Sequence, residues 1–149
     1  MFEEKDAVRD LGAIECMIPL LASPNPSLQM TITTCLLNCS FSSQNQVLVR
    51  KLGGLELFLK ITAPNYETQV RVNSLVALSN YTVNGKSQVT SLNVSDDNKE
   101  AIGALNGIQL LLEIISHPSN DMVKEKAAGI LWNCSKMSNL LLSSIAHNN

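Results

Sequence analysis

The sequence predicts an all-α fold, a stack of similar helical units, on three observations. The pattern Ile130-Leu131-Trp132-Asn133-Cys134-Ser135, in which Asn is followed at two residues by a hydroxyl side chain, has two earlier companions. They are Cys35-Leu36-Leu37-Asn38-Cys39-Ser40 and Ala77-Leu78-Ser79-Asn80-Tyr81-Thr82. A second landmark precedes each copy, in Leu11-Gly12-Ala13-Ile14, Leu52-Gly53-Gly54-Leu55 and Leu105-Asn106-Gly107-Ile108, and from its first Leu to the motif Asn is 27, 28 and 28 residues. Counting back from each Asn, aliphatic residues stand ten positions upstream (Leu28, Val70, Val123) and two upstream (Leu36, Leu78, Leu131). Landmarks that recur in order and in register are the signature of a repeat architecture.

The elements follow in order. A first helix is expected near 4–11, with Glu3, Glu4 and Asp6 at its positive end. A second spans 12–21, where Ile14, Met17, Ile18 and Leu21 share one face, and Pro19 within it predicts a bend or a late start. Ser23-Pro24-Asn25-Pro26-Ser27 is a turn, and Ser27 is the expected N-cap of a long helix over 27–40. The second unit repeats the scheme with helices near 45–52, 54–62 and 68–82. Its Gly53-Gly54 break lets the chain reverse tightly, and its turn is Ala63-Pro64-Asn65. Between Asn80 and Asn133 the spacing grows to 53 residues from the 42 between Asn38 and Asn80, which places an inserted loop in 83–97, polar and turn-forming, with Asp97 or Asn98 capping the next helix. The third unit is expected at 98–105, 107–116 and 120–135, turning at His117-Pro118, and 139–146 reads as the first helix of a fourth. The whole is one domain: repeats near 4–40, 45–82 and 98–135, the insert, and a partial repeat over 139–149. Core positions in this frame are Ile14, Leu20, Leu36, Leu55, Ile61, Leu78, Ile108, Ile114 and Leu131.

The pattern resembles the armadillo repeat, whose unit runs as an Asn-led short helix, a Gly-Ala-Ile start to a Leu-rich helix, a Pro-containing turn, and a long helix ending in Ala-Leu-x-Asn-Leu. Here the first helices read Asn45-Gln46-Val47-Leu48 and Asn98-Lys99-Glu100-Ala101, and the turns carry Pro24, Pro64 and Pro118. The wording around Trp132-Asn133-Cys134-Ser135 is closest to repeats of the β-catenin, plakophilin and adenomatous polyposis coli type, with Cys where Leu is usual. The resemblance implies a right-handed α-solenoid of three full repeats and the start of a fourth. Solenoids finish in polar capping repeats and neither end reads as one, so a piece of a longer armadillo protein is expected.

Composition limits the function classes. In 149 residues, 45% are hydrophobic and only 4% aromatic, which suits close-packed helices rich in aliphatic side chains. A net charge of −2 offers no footprint for a phosphate backbone, so nucleic acid is not expected as a partner. No run approaches the roughly 20 apolar residues that span a bilayer, and the charged start lacks the apolar stretch of a signal peptide. The expected compartment is the cytoplasm, with the nucleus and cell junctions open beside it. Cys16, Cys35, Cys39 and Cys134 read as free thiols, the last three in aliphatic slots of the repeat. No metal, cofactor or catalytic set is expected: Gly85-Lys86-Ser87 lacks the upstream Gly of a phosphate loop, and no Ser/His/Asp or Cys/His group emerges. Three of the four Asn-x-Ser/Thr sequons are the repeat motif itself, so glycosylation is not the expected use of them.

The resemblance implies a concave trough lined by the long third helices, with Asn38, Asn80 and Asn133 as a ladder. A primary amide can meet both the C=O and the N–H of an extended peptide, which gives affinity without reading sequence. The competing use is local, each Asn capping its own helix or satisfying a neighbouring backbone group. Selectivity would come from the same face: Ser79 and Trp132 one residue before the Asn, Thr34, Val76 and Gly129 four before, Asn73 and Lys126 seven before. The import adaptors of this family carry Trp four before the Asn, so Thr, Val and Gly there disfavour a nuclear-import role. Lys86, Lys126 and Lys136 are too few to decide for an acidic peptide. Two classes remain: a non-catalytic scaffold of the adhesion and signalling kind that binds a partner's peptide, and a structural segment covered by its own parent or by self-association through its end repeats.

Overall fold

The computed structural model describes residues 7–83 and 94–136, and within them every regular element is helical. Residues 7–10 are helical and lead through Gly12 into α1 (Ala13–Met17), which continues as a 3₁₀ helix over Ile18–Ala22. There follow α2 (Pro26–Cys39), α3 (Ser43–Lys51), α4 (Gly54–Ile61), α5 (Thr68–Thr82), α6 (Val94–Ala104), α7 (Gly107–Ser116) and α8 (Asp121–Ser135). The long helices lie in sequence order, α2 against α5 and α5 against α8, while each second helix packs on the long helix of its own unit, α4 on α5 and α7 on α8. The first helices α3 and α6 also meet, so three units stack as an all-α solenoid with α5 at the centre. The expected fourth-unit helix lies outside the described residues.

The turn into each second helix shows why glycine recurs there. Gly12 and Gly53 hold φ at +75°, and Asn106 takes the same left-handed place at 56°, a conformation that Gly adopts freely and Asn tolerates. The next slot needs room instead. A Cβ on Gly54 would stand 2.8 Å from the Ile18 side chain of the preceding unit, and one on Gly107 would stand 3.1 Å from that of Leu59. The nearest atoms at these two places are Val49 Cγ1 and Ile102 Cγ2 of the same unit, so the glycines make room for the first helix of their own unit as well as for those two side chains.

Three local expectations are corrected. Asn25, not Ser27, caps α2: its Oδ1 accepts from the Leu28 amide at 3.1 Å, and Pro26 occupies the first turn, where its missing N–H costs nothing. Pro19 falls in the 3₁₀ segment, and this change of pitch turns Leu21 into the core at 0% exposure and leaves Leu20 outside at 39%. Helix α6 begins at Val94, four residues before the expected start, so Asp96 and Asp97 lie in its first turn and neither Asp97 nor Asn98 is a cap. Asn98 is fully buried, and its amide donates to the Tyr81 carbonyl at 3.0 Å.

Side chains from the following unit satisfy carbonyls at the ends of α2 and α5. Asn45 donates to the Cys39 carbonyl at 3.3 Å, as Asn98 does to that of Tyr81. Gln46 Nε2 bridges two units, donating to the Ser40 carbonyl at 2.8 Å and the Asn80 carbonyl at 3.2 Å. Ser95 donates to the Thr82 carbonyl at 3.1 Å. The last carbonyls of a helix lack intrahelical donors, and here stacking buries them, so the next unit must supply N–H or O–H groups. Lys99 stands in the slot of Gln46, is 1% exposed, and pairs with Asp96 at 3.1 Å. Arg71 reaches from α5 to the Thr62 carbonyl at 2.9 Å.

The core runs the length of the stack through Leu36, Phe58, Leu75, Leu78, Tyr81, Ile102, Leu111 and Ile130, each fully buried. Phe58 and Tyr81 stack at a tilt, with ring centroids 6.1 Å apart. Ile14, Leu36, Leu55, Ile61, Leu78 and Ile114 are buried as expected, whereas Ile108 and Leu131 are only half-buried. Their equivalents in the first and second units, Ile14 and Leu55 for the one and Leu36 and Leu78 for the other, are buried, and no described unit lies beyond the third. Leu78→Ala should therefore cost about 2–5 kcal/mol in denaturant unfolding, and Leu131→Ala clearly less.

Candidate functional site

The motif hydroxyls and asparagines form the joints between long helices. Asn80 Nδ2 donates to Ser40 Oγ at 2.8 Å, and Asn133 Nδ2 to Thr82 Oγ1 at 3.1 Å. Each accepting hydroxyl stands two residues after the motif Asn of the preceding unit. Its own proton goes to its helix, Ser40 Oγ to the Leu37 carbonyl at 2.6 Å and Thr82 Oγ1 to that of Ser79 at 2.9 Å. The recurring Asn-x-Ser/Thr wording thus encodes a link between units, made by the Nδ2 groups of Asn80 and Asn133. The hydroxyl of the motif was the available signal for Ser40 and Thr82.

Asn38, at the head of the row, is exposed and has no hydrogen-bond partner among the described residues. Asn80 and Asn133 are half-buried, and their Oδ1 atoms accept no hydrogen bond among the described residues. One row up the helices a second contact spans the joint: Asn73 Nδ2 donates to Thr34 Oγ1 at 3.0 Å, while its Oδ1 accepts from Gln69 at 2.9 Å. Ser79 Oγ lies 3.5 Å from Asn133 Nδ2, and Val76 is half-buried beside it in sequence register. Trp132 is 64% exposed, with the Lys136 ammonium 4.5 Å from its ring centroid, a cation–π contact at the far end of the row. Lys126 pairs with Glu125 at 2.8 Å, so it leaves the face neutral, and Lys86 lies outside the described residues. The structure therefore joins Thr34 to Asn73 and Ser79 to Asn133 in direct contact, with Asn38 and Trp132 at opposite ends.

The cysteines divide in two. Cys39 and Cys134 are buried, and burial raises the Cys134 thiol to about 11 against the pull of Lys99 in the opposite direction. Cys35, expected in an aliphatic core slot, is exposed because the preceding-unit side of α2 is uncovered among the described residues; Cys16 is exposed as well. Burial likewise drives the Tyr81 phenol far above its ordinary range, with Cys39 adding to the shift. Among the described residues no three His, Cys, Asp or Glu side chains gather as metal ligands, and no helix is long and apolar enough to cross a membrane.

The sequence profile described as Armadillo/beta-catenin-like repeat matches residues 2–41 and 95–136, together more than half of the chain, and skips the second unit. No curated protein matches. Among solved structures, two crystal structures titled as an engineered protein by the Northeast Structural Genomics Consortium are similar. One superposes at a TM-score of 0.79 with 20% identity, over 96% of this chain and 53% of that one. The other gives 0.78 with 20% identity, over 96% of this chain and 32% of that one. At such identity the likeness shows the fold, and this chain spans about half and about a third of the two lengths.

Two outcomes follow from this geometry. Asn133→Ala should lower stability by about 1 kcal/mol through the lost joint, while Asn38→Ala should stay within about 0.5 kcal/mol, both read from denaturant midpoints. A thiol reagent at pH 8 should label Cys16 and Cys35 rapidly, and Cys39 and Cys134 only after denaturant is added, because burial withholds access and keeps Cys134 protonated.

Proposed function

The chain belongs to the armadillo/beta-catenin-like repeat family, and on that premise we propose that it is a non-catalytic scaffold holding an extended segment of a protein partner along α2, α5 and α8. The row of Asn38, Asn80 and Asn133 carries this reading. The Nδ2 bonds to Ser40 and Thr82 fix the amide planes of Asn80 and Asn133, so their unclaimed Oδ1 acceptors are held in place before any ligand arrives. Preorganised groups of this kind lose little freedom on binding. An extended peptide brings N–H donors that alternate along its length, which is the chemistry such acceptors need. Asn38 offers a whole amide, and Trp132 with Lys136 offers a broad face for an aromatic or carboxylate-bearing side chain. The neutral face argues against a strongly basic ligand. Such a scaffold would work in the cytoplasm or at cell junctions.

Extended peptides selected from a random library on the full chain should bind with micromolar or weaker affinity, since the row is short. Asn38→Ala and Trp132→Ala should each weaken that binding about tenfold or more, measured by titration calorimetry, with the thermal midpoint unchanged. Selected peptides that bind both variants as tightly as the parent would overturn the groove reading.

A further inference from the structure

Nine residues before the motif Asn stand Gln29 in α2 and Arg71 in α5. Both are buried, at 6% and 7% exposure, and both do the same local task at the end of the preceding helix: Gln29 Nε2 donates to the Leu21 carbonyl at 2.7 Å, and Arg71 Nε to the Thr62 carbonyl at 2.9 Å. A neutral amide suffices for that carbonyl, so the rest of the guanidinium is surplus to it. Among the described residues Arg71 Nη1 makes no hydrogen bond, and Nη2 makes one long one, 3.4 Å across the joint to Ser119 Oγ of the third unit. No described carboxylate pairs with it: Glu67, one turn before it, and Asp121, two residues after Ser119, are both exposed and form no ion pair with it. Burial lowers the guanidinium from its ordinary value, and no neighbouring acid opposes that shift. A buried cation with donors to spare and no countercharge is costly as it stands.

We propose that Ser119 is a phosphorylation site whose phosphate Arg71 captures, a clamp between the second and third units. Ser119 is half-buried in the non-helical turn between α7 and α8, flanked by exposed Pro118 and Asn120, and its hydroxyl proton has no acceptor among the described residues. A kinase would supply a nucleoside triphosphate: Ser119 Oγ attacks the γ-phosphorus, the bond from that phosphorus to its bridging oxygen breaks, the diphosphate leaves with the electron pair, and the hydroxyl proton passes to the kinase's base. The phosphate then presents anionic oxygens to Nη1 and Nη2, turning one long neutral contact into charge-assisted hydrogen bonds and giving the buried cation its countercharge. Its place just ahead of α8 also sets added negative charge at the positive end of that helix. The clamp fastens the third unit on the second and is independent of any peptide in the groove.

Two measurements on the full chain test this. Incubated with a nucleoside triphosphate and a serine kinase that reads an acid after its acceptor, as Asp121 provides, the folded chain should gain phosphate at Ser119 by mass spectrometry, and Ser119→Ala should lack it. Phosphoserine encoded at position 119 should raise the thermal midpoint by at least about 2 °C. In an Arg71→Gln background the same modification should give no rise, and that variant should fold because Gln29 already serves the equivalent carbonyl in the first unit. A chain left unmodified at Ser119, a midpoint that phosphoserine leaves unchanged or lowers, or an equal rise with Arg71→Gln would overturn the proposal.

Discussion

The buried end of the long helix is the constraint on which the stack depends. A helix leaves its last carbonyls without donors, and burial without a partner costs each such group on the order of 1–3 kcal/mol. Here α2 and α5 end beneath the following unit, and the answer is the same at both joints: Asn45 of α3 and Asn98 of α6, which share one place in the repeat, each donate to the carbonyl after the motif Asn. The Asn-led short helix of the repeat is explained by this demand. Apolar burial holds the units together, but it has no direction, and these hydrogen bonds fix the rotation of one unit on the next.

Gln46 and Lys99 show two solutions to one problem. Gln46 is neutral and reaches the ends of both neighbouring long helices. Lys99 puts a cation into the same slot, beside the negative end of α5, and keeps it at 1% exposure by pairing with Asp96 one turn upstream. The ion pair belongs to the opening turn of α6, where Ser95 and Asn98 also anchor to α5 and Asp97 pairs with Arg50 at 3.0 Å. The chain leaving the insert is thus fastened within its first turn.

The repeat, its register and most helix bounds were legible in the sequence because they rest on local spacing. Gly12 and Gly53 announced their turns, and the motif Asn set the frame. What was not legible depended on partners distant in sequence. Asp97 and Asn98 look like cap residues in isolation, yet Asn98 is drawn into the core by the Tyr81 carbonyl. Leu20 has the right spacing for burial until Pro19 changes the helical pitch. Cys35 shares a slot with Ala77 and Ile130, but a slot is buried only if a neighbour covers it. The asparagine ladder was visible as a row, whereas the Asn-to-hydroxyl link needed the relative placement of two helices.

Among the described residues the side-chain hydrogen bonds between units reach across one joint, that from Asn133 to Ser79 spanning 54 residues. Contacts of bounded reach let folding start within one neighbouring pair and spread by accretion, without the loop-closure penalty that a distant strand pairing imposes. They also make length a free parameter. A unit can be gained or lost during evolution without redesigning the others, provided the newcomer brings a donor Asn on one face and a hydroxyl acceptor on the other.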